Sequence, residues 1–228
     1  MLFLYLQPQH HAQLPVSSNN FSLRVNPNSC KLPNIANHPH NSFTQRTFLQ
    51  IKQAANLVPM PTLYKTNEAD TARYVMGVYH KHPLIAIGVN PSQATLQKPD
   101  MTVSKVKKFA LQLGFDGYIM LNVYPQRATA PDSLHRKKFA PWAAKNLHAI
   151  ADVLAGTAPR PVLWAAWGNL IETRPYLGQC LRDIYQLAAQ YDPQWIRLGE
   201  LTRKGHPRHP SRMSYSNASY PFDTLAYF

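Results

Sequence analysis

The sequence predicts a three-layer α/β domain, with helices on both faces of a central, mostly parallel four-stranded sheet. Three observations carry this expectation. Apolar runs of strand length occur at residues 84–87, 118–121, 162–166 and 195–198. The segments between the first three and the last repeat apolar residues at helical spacing, and Gly, Pro or Asn marks the junctions. Strands that alternate with helices in this way favour a parallel sheet, because right-handed crossovers lay the helices over its faces.

The bulk properties bound the rest. A chain of 228 residues has length for one domain with a sizeable core and an extension. Residues 1–55 are rich in Asn, Gln, Ser, Pro and His without period, so they read as a disordered or poorly structured extension. Residues 56–228 then form the single α/β domain. Metal binding by His10, His11, His38 and His40 is not expected, because no carboxylate or thiolate stands near them. A net charge of +13 favours a polyanionic partner, nucleic acid or a nucleotide. Only Cys30 and Cys180 are present, which offers no disulfide framework and fits a reducing compartment. The opening MLFLYL has no basic flank and is too short for a secretory segment, and no stretch approaches a membrane span. A cytoplasmic protein, monomeric and without cofactor or metal, is the expectation.

Taken in order, residues 73–79 (RYVMGVY) are a strand candidate leading into residues 84–92 (LIAIGVNPS). There a buried strand breaks at Gly88 and delivers Asn90 and Ser92. Asp100 caps a helix that stops at Gly114, with Val103, Val106, Ala110 and Leu113 as its apolar stripe and Lys105 and Lys108 on a solvated face. The second strand, YIML, ends at Asn122, and its exit holds Tyr124 and Arg127. Pro141 opens a helix with Leu147, Ile150, Ala151 and Leu154 on one side. The third strand ends at Trp167, Gly168 and Asn169, and a helix from about Pro175 carries Leu177, Leu181, Ile184, Leu187 and Ala188, with Cys180 in the core. The fourth strand opens into TRKGHPRHPSRMSY, residues 202–215. The remainder, 216–228, shows no regular pattern.

In open α/β sheets ligands bind beyond the carboxyl ends of the strands, so the polar residues delivered there converge on one expected site. Asn90 has a carbonyl that can orient a water. Asn122 offers both a donor and an acceptor to a heterocycle. His209 can donate to an oxygen on which charge develops. Ser92, Tyr124, Arg127, His206 and Ser211 are further substrate-binding candidates, and Arg203, Lys204, Arg208 and Arg212 would hold phosphate.

The motifs RYVMGVY, GVNPSQAT, KPDMTVSKVKKFA, GYIMLNVYPQRAT, WAAWGN and LGELTRKGHPRHP resemble those of a bacterial family of unknown function, domain of unknown function 1643, across about residues 74–211. The order GVNPS, IMLN, WAAWGN, HPSRMS is also similar, more loosely, to the uracil-DNA glycosylase superfamily. That second resemblance implies a parallel-sheet fold with catalytic loops at the strand ends. It implies that Asn90 positions the attacking water, that Asn122 reads the base and that His209 stabilises the departing base. Ser211 would grip a backbone phosphate, and Tyr124 is the one candidate for stacking on the base. The activity implied is hydrolysis of an N-glycosidic bond in nucleic acid or a nucleotide; the alternative is a binding module of the same fold that does not hydrolyse.

Overall fold

The structure is a computed structural model that describes residues 62–228, apart from His80 and Ala158. The expectations for residues 1–55 lie outside the described residues. Seven strands form one sheet: β1 Thr62–Thr66, β2 Arg73–Val78, β3 Pro83–Gly88, β4 Gly117–Asn122, β5 Val162–Ala165, β6 Gln194–Leu198 and β7 Ser219–Pro221. The order across the sheet is β1-β2-β4-β3-β5-β6-β7. The helices are α1 Met101–Gln112, α2 Ala140–Ala155, α3 Pro175–Ala189 and the single turn α4 Thr224–Tyr227.

The four runs singled out in the sequence are the parallel centre, β4-β3-β5-β6. Every residue of β3 and β4 is buried, as expected of strands covered on both faces. The sheet nevertheless has seven strands, not four. β1 and β2 extend one edge antiparallel, and β7 extends the other. Their sequences do not announce this. TLYKT is mostly exposed and Ser219–Pro221 wholly so, so neither edge strand shows an apolar alternation.

The strand order decides where the helices lie. From β3 the chain moves to β4 on one side, then returns past β3 to β5 and continues outward to β6. With crossovers of fixed hand, that reversal places α1 on one face and α2 and α3 on the other. The core divides accordingly. Val103, Val106, Phe109 and Ala110 of α1 pack on Leu84, Ala86, Met120 and Trp164. On the opposite face Ile150, Leu154, Leu177, Cys180 and Ile184 cover Ile85, Ile87, Leu121 and Leu163. Phe109 takes the place expected for Leu113, which is 37% exposed beyond the end of the helix. The terminal segment, which shows no regular pattern in the sequence, forms β7 and α4, and its Phe222 and Tyr227 close over Trp167, at ring distances of 5.6 and 5.5 Å.

The strand order reverses between β3 and β5, and open α/β sheets bind ligands in the crevice beyond the strand ends at such a switch point. The exits stay laterally tied beyond the strands. Val123 and Tyr124 N–H donate to the Gly88 and Val89 carbonyls, and Ala166 N–H donates to Ile87.

Candidate functional site

The exit of β3 is held by its own polar side chains. Asn90 Nδ2 donates to the Ala128 carbonyl at 2.8 Å and to Pro91 at 3.2 Å, which ties this loop to the exit of β4. That fixes the orientation of the amide, and Oδ1 has no partner among the described residues. Ser92 Oγ donates to Asp100 Oδ2, while Asp100 Oδ1 accepts from Val103 N–H and caps α1. The sequence showed the cap but not the bond to Ser92.

At the exit of β4, Asn122 is 1% exposed and its Nδ2 has no hydrogen-bond partner. Its side chain lies against Gly88, where a Cβ would sit 3.2 Å from Oδ1. Asn146 of α2 donates to the Asn122 carbonyl at 2.8 Å and so holds this strand end from the other face. Asn122 is therefore at the expected place but sealed.

His209 reaches the site from the β6 exit. Its Cβ is 3.1 Å from the point where Gly168 would carry one, and Gly168 has φ +62°, so only glycine fits the turn after β5 beneath the histidine. Lys105 of α1 clamps this turn, with Nζ donating to the Met213 carbonyl at 2.6 Å and to Ser211 at 3.2 Å. This overturns the solvated-face reading of Lys105, because a helix face exposed in isolation is covered here by a turn whose carbonyls lie 106 and 108 residues further along the chain. Lys108 stands over the Tyr215 ring, 3.9 Å from its centroid.

The His209 ring is electronically defined. Ser211 N–H donates to Nδ1 at 3.3 Å, and Ser211 Oγ lies 2.8 Å from the same atom. A backbone N–H can only donate, so Nδ1 accepts and the neutral ring carries its proton on Nε2. Burial pulls the pKa of His209 down to about 4, with Asp100 opposing and Arg212 and Lys105 adding to the shift. The imidazole is thus neutral at physiological pH. Nε2 has no partner among the described residues.

The other expected site residues divide into two groups. Arg127 joins the cluster: its side chain is only 3% exposed, with Nη1 on Tyr64 OH and Asp70 at 3.0 and 3.1 Å and Nη2 3.3 Å from the Ala94 carbonyl. Arg73, which the sequence did not mark as functional, donates to that same carbonyl at 2.5 Å. The Asp100 carboxylate acts on both Arg73 and His209, so all three belong to one electrostatic neighbourhood.

Tyr124 lies elsewhere. It is fully buried, its hydroxyl accepts from Phe139 N–H and pairs with His135 Nδ1, and its ring packs on Tyr176. Nothing of it is free to stack on a base. His206 has partners other than those of His209: Nε2 meets Glu172, at the end of the turn before α3, at 3.0 Å, and Nδ1 meets Tyr227 OH of α4 at 2.7 Å. Lys204 pairs with the same glutamate. These residues line a cavity of about 450 Å³ together with Leu181 and Phe228. Arg208 donates to the Glu200 carbonyl at 2.8 Å. Of the four basic residues assigned to phosphate, only Arg203 and Arg212 are exposed without a side-chain partner among the described residues.

No curated protein and no solved structure matches the chain. One family model does, that of a "Protein of unknown function (DUF1643)", over residues 73–211. That span begins at Arg73, ends at Ser211 and contains Asn90, Ser92, Asp100, Asn122, Arg127 and His209. It covers more than half of the sequence, and the chain belongs to this family.

Proposed function

We propose that the chain hydrolyses an N-glycosidic bond, releasing a base from nucleic acid or a nucleotide, on a fold like that of the uracil-DNA glycosylases. A base on duplex DNA would have to leave the stack to enter the crevice. A water held on Asn90 Oδ1 attacks the sugar carbon as the C–N bond breaks. Negative charge then develops on the departing base, and the Nε2–H of His209 donates to its oxygen. An amide cannot take the water's proton, so that proton passes to the base as it leaves or to solvent.

The observation that carries this reading is the His209 ring, held neutral with its proton on the free nitrogen. A single donor aimed at developing charge supplies on the order of 3 kcal/mol. One further feature supports it: the Asn90 Oδ1, which has no partner among the described residues.

The test is base release by the full chain from a panel of uracil-containing and modified oligonucleotides and nucleotides. His209→Ala and Asn90→Ala are each expected to lower release by about 100-fold or more. Release at the original rate in both variants would sink the assignment. Asn90→Ala also removes the bond to Ala128, a loss of about 1 kcal/mol in stability, so its folded fraction is measured alongside.

A second reading, binding without hydrolysis, is favoured by one observation: Asn122 is sealed rather than presented. Salt-dependent binding to an oligonucleotide with no base released over a long incubation would select it.

A further inference from the structure

Two buried guanidinium groups stand side by side at the candidate site, with too few negative partners for their charge. Arg73 is 2% exposed and forms no ion pair with any described residue. Among the described residues the one hydrogen bond of its guanidinium is from Nη1 to the Ala94 carbonyl, and its Nε is buried without a partner. Arg127 bonds the same carbonyl and also has an orphaned Nε. One carbonyl oxygen therefore serves two cations.

The nearby carboxylates are committed. Asp70 is taken by Arg127 and is more than half exposed to water. Asp100 has one oxygen on Ser92 and the other on the Val103 N–H. Removing a guanidinium from water is costly unless a counter-charge meets it.

The backbone goes out of its way to produce this arrangement. The register of β1 against β2 shifts between Lys65 and Thr66, so that Val75 and Arg73 are paired and Tyr74 between them is not. The extra residue reverses the alternation of the strand. Tyr74 is thereby directed to the α2 side, with Lys145 over its ring. Arg73 is directed beneath the 92–94 loop, beside the cap of α1.

We propose that Arg73, with Arg127 beside it, binds the phosphate of the substrate, a phosphomonoester or phosphodiester oxyanion docking on the Arg73 fork at the 92–94 loop. Arg73 Nη2 is the donor left for it, since among the described residues it has no hydrogen-bond partner, while Nη1 is on the Ala94 carbonyl and Nε is buried without a partner. A guanidinium N–H suits an oxyanion, with which it forms a charge-assisted hydrogen bond, and the planar group holds that donor in a fixed direction. Burial and the charge of Arg127 also lower the pKa of Arg73 to about 10, which still leaves it charged at physiological pH. The inference deepens the proposed function by naming the anionic part of its substrate, and it rests on that reading only for the base attached to the phosphate.

The experiment uses the full chain and three probes at matched ionic strength: inorganic phosphate, a nucleoside monophosphate and a short single-stranded oligonucleotide, each against chloride. Melting temperature and binding isotherms are read for wild type, Arg73→Met and Arg73→Lys. The wild type is expected to gain stability with phosphate beyond chloride. Arg73→Met loses at least tenfold in affinity yet, without anion, melts at or above the wild-type temperature, because an uncompensated buried charge is gone. Arg73→Lys keeps the charge without the fork and loses about tenfold. If Arg73→Met does not fold, the wild-type response and Arg73→Lys decide.

Several results overturn the proposal: no response of the wild type beyond chloride, undiminished affinity in Arg73→Met or Arg73→Lys, or a lower melting temperature of Arg73→Met in anion-free buffer. Tighter binding of the oligonucleotide than of the monophosphate identifies a polymer backbone as the source of the phosphate, and the reverse a free nucleotide. Anion binding that survives while no base is released from any substrate sinks the hydrolytic reading and leaves the anion site standing.

Discussion

At the scale of single residues, His209 makes the sharpest statement about pH. Its folded pKa, about 4, lies below the ordinary value of 6.5. The unfolded chain therefore binds a proton that the folded chain refuses. Stability is unaffected above about pH 6.5, falls as pH drops through that value and reaches its full loss below about 4. The loss is expected to be about 2 kcal/mol by pH 5 and about 3 in all. Urea unfolding at pH 7 and pH 5 measures it, and His209→Gln should flatten the difference; an equal pH dependence in that variant would remove His209 as its cause. The sequence made Asn90 and Ser92 visible because both stand just past an apolar run, and His209 because it lies in the basic segment that the fourth strand opens into. It gave His209 the donor role and kept His206, three residues earlier, as a substrate-binding candidate; that His206 pairs with Glu172 was not legible, because it depends on which residues of the 168–172 turn lie opposite.

At the scale of elements, the turn that carries His209 has little structure of its own and is held by α1. Lys105 makes two bonds to its carbonyls, and Met213 packs into the α1 core. Lys105→Met should leave the helix formed, raise amide exchange over residues 209–213 and lower base release by about tenfold, since small misplacements of a donor are costly. Unchanged exchange there would show that the turn stands without the lysine. The sheet offers a second case. At Gly117 an added Cβ would run into the Val78 carbonyl, a backbone contact with no flexible side chain to yield. Gly117→Ala is expected to destabilise the domain by about 2 kcal/mol or more, read by denaturant midpoint. Helix boundaries were largely legible, since Asp100, Pro141, Gly156 and Pro175 are local signals. β1 and β7 were not, because edge strands are recognised by their partners rather than by an apolar rhythm.

At the scale of the whole molecule, the excess of positive charge is divided between surface and interior. Arg203 and Arg212 are exposed, whereas Arg73 and Arg127 are enclosed beside the β3 exit. Oligonucleotide binding should therefore weaken steeply with salt through the surface residues. In Arg203→Gln with Arg212→Gln, the slope of log affinity against log salt should fall by roughly 1 to 2. Arg73→Met should instead lower affinity at every salt concentration. Titrations between 50 and about 200 mM salt separate the two, and a slope unaltered in the double variant would remove the exposed pair from the interface. Among the described residues no helix is long and apolar enough to cross a membrane.

The amino-acid sequence by itself determined the four central strands, the three long helices and the polar residues at the strand exits. All of these follow from local periodicity and from Pro, Gly and Asp at element ends. Only the tertiary structure decided which of those polar residues share a neighbourhood. It sent Tyr124 into the α2 and α3 core, His206 to Glu172 and Arg73 to the Ala94 carbonyl. The physical reason is that the face a side chain meets depends on strand order and on one unpaired residue in β2, and neither leaves a periodic trace along the chain.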